Sequence, residues 1–348
     1  MKKLPIIAVI LCFLGWGALA NSSSEQPTSL TKMNIGYLPS PEHLLLYVAQ
    51  EKGFFKEEGI DSKLFQFTNS AEGMNSILAG KIDVGPFGVS APLAFISKGA
   101  DAVVIGGANS GACALVTMPD RYEELKDIKN YKGKKIASVR LSTADVIFRG
   151  ALMDAGIDWK NGDAQIIEME SPAATMEALK KGRVDAALIW TPFVAMAEDL
   201  GVKVAMQITD LYENNVCCRQ AVLRENLKEH PELWENFMAA LIKAYDFYQN
   251  NHQETIDITA KYVRVDKKYL EKETYAEDAT MICSPDPMKL SVNKYWGIMK
   301  QTGFIKTDID INDHIETAIY KTALDNLIAQ NPENKNYQKL AADFIQQN

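Results

Sequence analysis

The chain has 348 residues, 47% hydrophobic and 24% charged, with a formal net charge of −8. That balance is the one expected of a globular protein, and the acidic surplus, with no basic stripe anywhere, argues against a nucleic-acid partner. The length exceeds what one hydrophobic core usually serves and implies two lobes or domains.

The first twenty residues read as a secretory signal peptide. Lys2 and Lys3 supply the positive start, Ile6 to Leu14 is apolar apart from Cys12, and Ala18-Leu19-Ala20 offers a cleavage site after Ala20. Bulky Leu11 before Cys12 does not suit lipid attachment, and no later stretch has the roughly 20 apolar residues of a membrane span. Residues 21–31, rich in Ser, read as a flexible leader. The expectation is an exported, periplasmic protein.

A pattern then occurs twice. The first copy opens with the strand Met33–Tyr37, a Pro/Ser loop and a helix over 42–52. Gly59-Ile60-Asp61 leads into a strand over 62–67, a helix over 71–79, and Gly80-Lys81-Ile82-Asp83-Val84 opening a third strand. A helix begins near Ala91-Pro92, stops at Gly99, and the strand Ala102–Ile105 follows. The second copy opens with the strand Lys135–Val139 and a helix over 144–154. Gly156-Ile157-Asp158 and Gly182-Arg183-Val184-Asp185-Ala186 repeat the two Gly-containing steps around a strand over 164–168 and a helix over 172–181. A strand through Trp190, a helix from Thr191-Pro192 to Leu200 and the strand Lys203–Met206 complete it. Beyond residue 208 the repeat stops. A strand over 217–224 precedes helices over 230–248, 255–263, 266–277, 287–302 and 315–330, which are expected to return to the first lobe.

Alternating strands and helices mean mostly parallel sheets with right-handed crossovers. Two such units predict an α/β protein of two similar lobes with a cleft between them. Ligands of open α/β sheets sit beyond the strands' carboxyl ends, where helix N-termini present free N–H groups. The loops at those ends contain Ser40, Glu42 and His43; Asn69 and Ser70; Gly88, Val89 and Ser90; Arg140, Ser142, Thr143 and Asp145; Glu170; and Trp190. Ser142 and Thr143 either grip an anion or carbonyl or merely cap their helix, and Asn69 and Ser70 are the corresponding pair in the first lobe. His43 is either a surface histidine or a site residue. Arg140 is either an anion partner or a solvated side chain. Trp190 either stacks on a planar solute or wedges the lobes. The carboxylates Glu42, Glu72, Asp145 and Glu170 sit poorly with a tight inorganic anion and leave a neutral or weakly basic heterocycle open. The four histidines, at 43, 230, 252 and 314, have no metal-ligand spacing. There is no phosphate loop or dinucleotide glycine fingerprint. Neither a metal nor a cofactor is expected.

Taken together, Ile35-Gly36-Tyr37, the run Ala49 to Ile60, Ala79 to Gly85, Asp127 with Lys132 to Ala137, Ala155-Gly156-Ile157, Asp185-Ala186 with Trp190 to Phe193, and Glu229 to Glu232 carry a resemblance. The chain resembles the periplasmic solute-binding proteins of the nitrate/sulfonate/taurine type (the NMT1-like group), including the binders of thiamine pyrimidine precursors. The resemblance implies a type II periplasmic binding protein fold in which lobe 2 (116–216) is inserted into lobe 1 (32–115 and 217–348). Crossovers are expected near Cys113–Asp120 and Thr209–Cys218. It implies a monomer that captures a nitrate-, sulfonate-, taurine- or bicarbonate-type anion, or alternatively a neutral heterocycle, and delivers it to an ABC importer permease without chemistry. Fungal pyrimidine synthases share the fold, so an enzyme is the alternative of another class. The crossovers would lie side by side, which suggests a disulfide from Cys113 to Cys217 or Cys218; otherwise these are small buried thiols.

Overall fold

The computed structural model describes residues 30–140, 142–212 and 214–348. The expected signal peptide, its cleavage site and all but the last two residues of the leader lie outside them. Thr31, expected in the leader, already belongs to the first strand.

The strands are β1 (Thr31–Tyr37), β2 (Ile60–Gln66), β3 (Val84–Gly88), β4 (Ala102–Gly107), β5 (Asn109–Gly111), β6 (Cys113–Thr117), β7 (Lys135–Val139), β8 (Gln165–Met169), β9 (Ala186–Trp190), β10 (Lys203–Gln207), β11 (Cys218–Leu223) and β12 (Met281–Cys283). Two five-stranded sheets run in the orders β2-β1-β3-β11-β4 and β8-β7-β9-β6-β10. They are the same arrangement built twice. In each, three consecutive strands are parallel, Ile35 pairing with Val84 in one and Ile136 with Ala186 in the other. The fourth strand is antiparallel to both neighbours. That fourth strand is the first one laid down after the chain has crossed between sheets: β6 after the outward crossing, β11 after the return. β4 and β6 are buried at every residue, as strands covered on both faces are.

The repeated glycines have a common backbone cause. Gly59 and Gly156 adopt φ of 76° and 77°, and Gly80 and Gly182 adopt 64° and 65°. This left-handed region is strained for residues with a Cβ. Open space surrounds Gly80, Gly156 and Gly182, so the turn conformation and not crowding selects glycine there.

Three local expectations change. Residues 191–201 form successive turns, not a helix. Their hydrogen bonds alternate between three- and four-residue closures, and Glu273 from another element takes the Ala195 N–H. The stretch from Cys113 is already a strand of the second sheet, so the outward passage occupies 108–112, ahead of Cys113–Asp120. The returning helices Pro231–Asn250, His252–Tyr262 and Ala318–Gln330 do pack on the first sheet, in a core with Ile35, Tyr47, Trp234, Phe237 and Tyr320. Helix Lys289–Gln301, however, lies against helix Thr143–Asp154 of the second lobe. Gly150 permits that approach, since a Cβ there would stand 2.7 Å from Ile298. A C-terminal helix, Lys335–Gln347, was not foreseen. No helix among the described residues is long and apolar enough to cross a membrane.

Candidate functional site

The lobes lie closed on one another. One buried cluster includes Phe87, Val89 and Leu93 from the first lobe and Leu115, Ile136 and Ala144 from the second. Polar side chains converge where the two crossovers pass beneath this junction.

The first lobe contributes the turn after β1. Ser40, in extended conformation, caps a short 3-10 turn over Pro41–His43, with Pro41 at its first position. The Glu42 N–H donates to Ser40 Oγ at 3.4 Å. This turn presses Glu42 inward until its side chain is buried. Its carboxyl meets Ser40 Oγ at 3.3 Å, Cys218 Sγ at 3.6 Å and Cys217 Sγ at 3.9 Å. Burial first, and then the negative charge of Cys217, holds the Glu42 carboxyl well above the usual carboxylate range. His43 is fully buried. Its Nδ1 accepts the Leu38 N–H at 3.1 Å, which places the ring proton on Nε2, and burial pushes its pKa down to about 3. The imidazole is therefore neutral, and Nε2 has no partner among the described residues.

The crossovers contribute sulfur. The Cys217 carbonyl accepts the Val89 N–H at 2.9 Å, and the Cys218 N–H donates to Asn109 Oδ1 at 3.2 Å, so both residues are pinned to the first sheet. Cys113 opens β6. The Cys113 and Cys218 thiols donate to Cys217, which lowers the Cys217 thiol well below its ordinary value against the opposing effect of burial. The same two hydrogen bonds, together with burial, raise Cys113 and Cys218. Cys113, Cys217, Cys218 and Cys283 are all free thiols.

The second lobe contributes its first helix N-terminus. Ser142 Oγ accepts the Asp145 N–H at 3.2 Å as the N-cap. The Thr143 hydroxyl is 3.7 Å from Cys217 Sγ. Asp145 is fully buried and satisfied within its own lobe, by Ser138 Oγ at 2.7 Å and Arg149 Nε at 2.9 Å. Arg149 in turn lies over the Trp159 ring at 4.4 Å. Tyr295 bridges the lobes, its hydroxyl shared with Ser90 Oγ and 3.5 Å from the Thr143 carbonyl. Gly88 leaves the space between Ser70 Oγ and Thr143 Oγ1, which a Cβ would meet at 3.4 and 3.7 Å.

Of the residues expected from sequence, Ser40, Glu42, His43, Gly88, Val89, Ser90, Thr143 and the cysteines thus come together. Others stay outside this cluster. Arg140 is exposed and 3.9 Å from Glu168. Asn69 is exposed and caps helix Ser70–Leu78, whereas its neighbour Ser70 does reach the edge of the cluster, where its Oγ accepts the Gly88 N–H at 3.1 Å. Glu170 is exposed, and Trp190 is half-buried in register with Cys113. Sequence reasoning missed Tyr295, Asn109, Arg219 and Glu273. Glu273, on helix Lys267–Tyr275, accepts the Ala195 N–H at 2.6 Å across the lobes, and burial pushes its pKa up to about 7. Arg219 is fully buried beneath the cysteine pair. Its terminal N–H groups go to the carbonyls of Asn109 and Cys218 at 3.1 and 2.8 Å and to Ser110 Oγ at 3.0 Å. Burial lowers its pKa to about 10, so it stays charged.

A model of the NMT1-like family matches residues 26–264. A Bacillus subtilis protein named as an aliphatic sulfonates-binding protein is 29% identical over 335 residues, 93% of this chain and 98% of that one. A Brucella abortus protein named as a binding protein is 28% identical over 278 residues, 77% of this chain and 84% of that one. The crystal structure of the periplasmic aliphatic sulphonate binding protein SsuA from Escherichia coli matches with a TM-score of 0.71 at 20% identity, over 83% of this chain and 93% of that one.

Proposed function

The chain belongs to the NMT1-like family, and from that premise we propose that it is the solute-capturing component of an ABC importer, exported and closing its two lobes on one small organic molecule. The solute is released unchanged to a membrane permease. The observation that carries the choice of solute is Glu42, a buried carboxyl whose partners are hydroxyl and thiol groups and not a cation. Around it stand the neutral His43 imidazole and the hydroxyls of Ser90, Thr143 and Tyr295. Such a set suits a neutral or weakly basic, donor-rich heterocycle. An oxyanion would instead enter beside the Cys217 sulfur, whose thiol is lowered toward the anion, and Arg219, the buried cation beneath the cysteine pair, already spends its terminal N–H groups on the carbonyls of Asn109 and Cys218 and on Ser110.

A sulfonate is the second reading, favoured by the names of the Bacillus and Escherichia relatives. Calorimetric titration of the chelator-treated protein with aminopyrimidines, alkanesulfonates, nitrate and bicarbonate separates the two. A heterocycle should bind one to one, be recovered unchanged, and at a hundredfold excess over its dissociation constant add about 2.7 kcal/mol of stability. Binding of sulfonate alone would overturn the heterocycle. Turnover of the bound molecule would overturn the carrier role.

A further inference from the structure

The cluster beneath the lobe junction also has the composition of a metal site. Oxygen of Glu42 and the sulfurs of Cys113 and Cys217 all lie within 4.8 Å of one another, and all three residues are buried. They come from three separate segments: the turn after β1, the start of β6 and the end of the return crossing. Cys218 Sγ stands at the edge of the set, 3.6 Å from the Glu42 carboxyl and 3.8 Å from Cys217 Sγ. We propose that Glu42, Cys113 and Cys217 bind a thiophilic cation of the Zn²⁺ class at the junction of the two crossovers.

The geometry is close to what coordination requires. Zinc takes sulfur at about 2.3 Å and carboxylate oxygen at about 2.0–2.2 Å, so tetrahedral ligand atoms lie roughly 3.4–3.8 Å apart. The three donors need to draw in by about 1 Å or less. The two soft thiolates in the set discriminate against Mg²⁺ and Ca²⁺, which take oxygen, while Zn²⁺ accepts them together with the harder carboxylate. Three protein ligands leave one tetrahedral position. Any proton that a ligand still carries passes to solvent as the cation arrives, and the cation then offsets negative charge that is otherwise buried. Because Cys113 opens a strand of the second sheet while Glu42 belongs to the first lobe and Cys217 to the end of the return crossing, the bound ion fastens the base of the hinge.

The test uses the full mature chain, freshly reduced and stripped with chelator, titrated with Zn²⁺ and separately with Co²⁺. The expected result is one Zn²⁺ per chain, and a thiolate-to-cobalt charge-transfer band in the near ultraviolet with Co²⁺. Cys113→Ser and Cys217→Ser should each weaken Zn²⁺ binding at least tenfold and remove most of that band, whereas Cys283→Ser, outside the cluster, should leave both. Where a serine variant fails to fold, protection of Cys113 and Cys217 from alkylation by Zn²⁺ in the unsubstituted protein supplies the same answer. Absence of the band, unchanged affinity in the serine variants, or recovery of a Cys113–Cys217 disulfide from periplasmic protein would each overturn the site. Failure here is distinct from failure of the solute reading, because the solute titration is run on chelated protein.

Discussion

The two lobes begin alike and then treat charge differently. After β1 and after β7 the chain makes the same move: a serine caps a helical turn, and an acidic side chain in that turn is buried, Glu42 behind Ser40 and Asp145 behind Ser142. Asp145 is compensated at home by the buried Arg149 and by Ser138. Among the described residues, the Glu42 carboxyl hydrogen-bonds with Ser40 and two cysteines and with no cation, and it is pushed up by burial. One carboxyl is therefore part of the scaffold, and the other is left for something that arrives from outside. A repeated architecture can keep a position and change whether its charge is settled internally.

The contrast is most sharply tested by removing compensation. Arg149→Met should lower the unfolding free energy by about 3–5 kcal/mol in urea, because a buried carboxylate loses its ion-pair partner. Glu42→Gln should change it by about 1 kcal/mol or less, since that carboxyl is already disfavoured as an anion. Equal costs in the two variants would end the comparison. Next in size, Glu42→Ala should weaken solute binding by roughly ten- to a hundredfold, the value of one or two lost hydrogen bonds in a dry site; titration calorimetry reads this directly, and unchanged affinity would remove Glu42 from the site.

Proton linkage gives a third expectation. Glu273 has its pKa raised to about 7 by burial in the closed form, with the Ala195 N–H and Lys272 opposing and Asp278 reinforcing. If opening exposes it, its pKa returns toward 4.5. Closure then takes up a proton, and the stability of the closed form is full below that lower value and lost as pH rises through 7. Solute affinity should fall roughly tenfold between pH 6 and pH 8, and Glu273→Gln should flatten the profile. The smallest effect belongs to Arg140→Ala. An exposed guanidinium with a long contact to Glu168 contributes little, so affinity should stay within about twofold. A large loss there would restore the oxyanion reading.

Much of this was legible in the sequence because it is written locally. The paired Gly-Ile-Asp and Gly-Lys/Arg steps mark turns whose positive φ values repeat in both copies, and the helix starts at Asn69, Ser142 and Ser171 carry their own capping side chains. The loops named half of the cluster for the same reason. Tyr295 and Glu273 could not be found that way, since each reaches the junction from a helix remote in sequence. The turns over 191–201 misled because a Thr-Pro start looks helical, while the competing acceptor, Glu273, lies on a different element. Whether Arg140 faces the cleft or solvent is decided by its rotamer and by Glu168, neither of which has a pattern in the chain.

The placement of β6 and β11 bears on how the molecule is made. The second sheet is drawn entirely from one unbroken stretch, residues 113–207, and can assemble as soon as that stretch is available. The first sheet cannot: its fourth strand pairs Val222 with Val84 and Val103, so a gap between β3 and β4 stays open until the whole inserted lobe has been synthesised. Loop-closure entropy across that insertion falls on the first lobe alone. The N-terminal half, emerging first, is thus the last to finish, and it waits with two unpaired strand edges on which a chaperone would have a natural template to act.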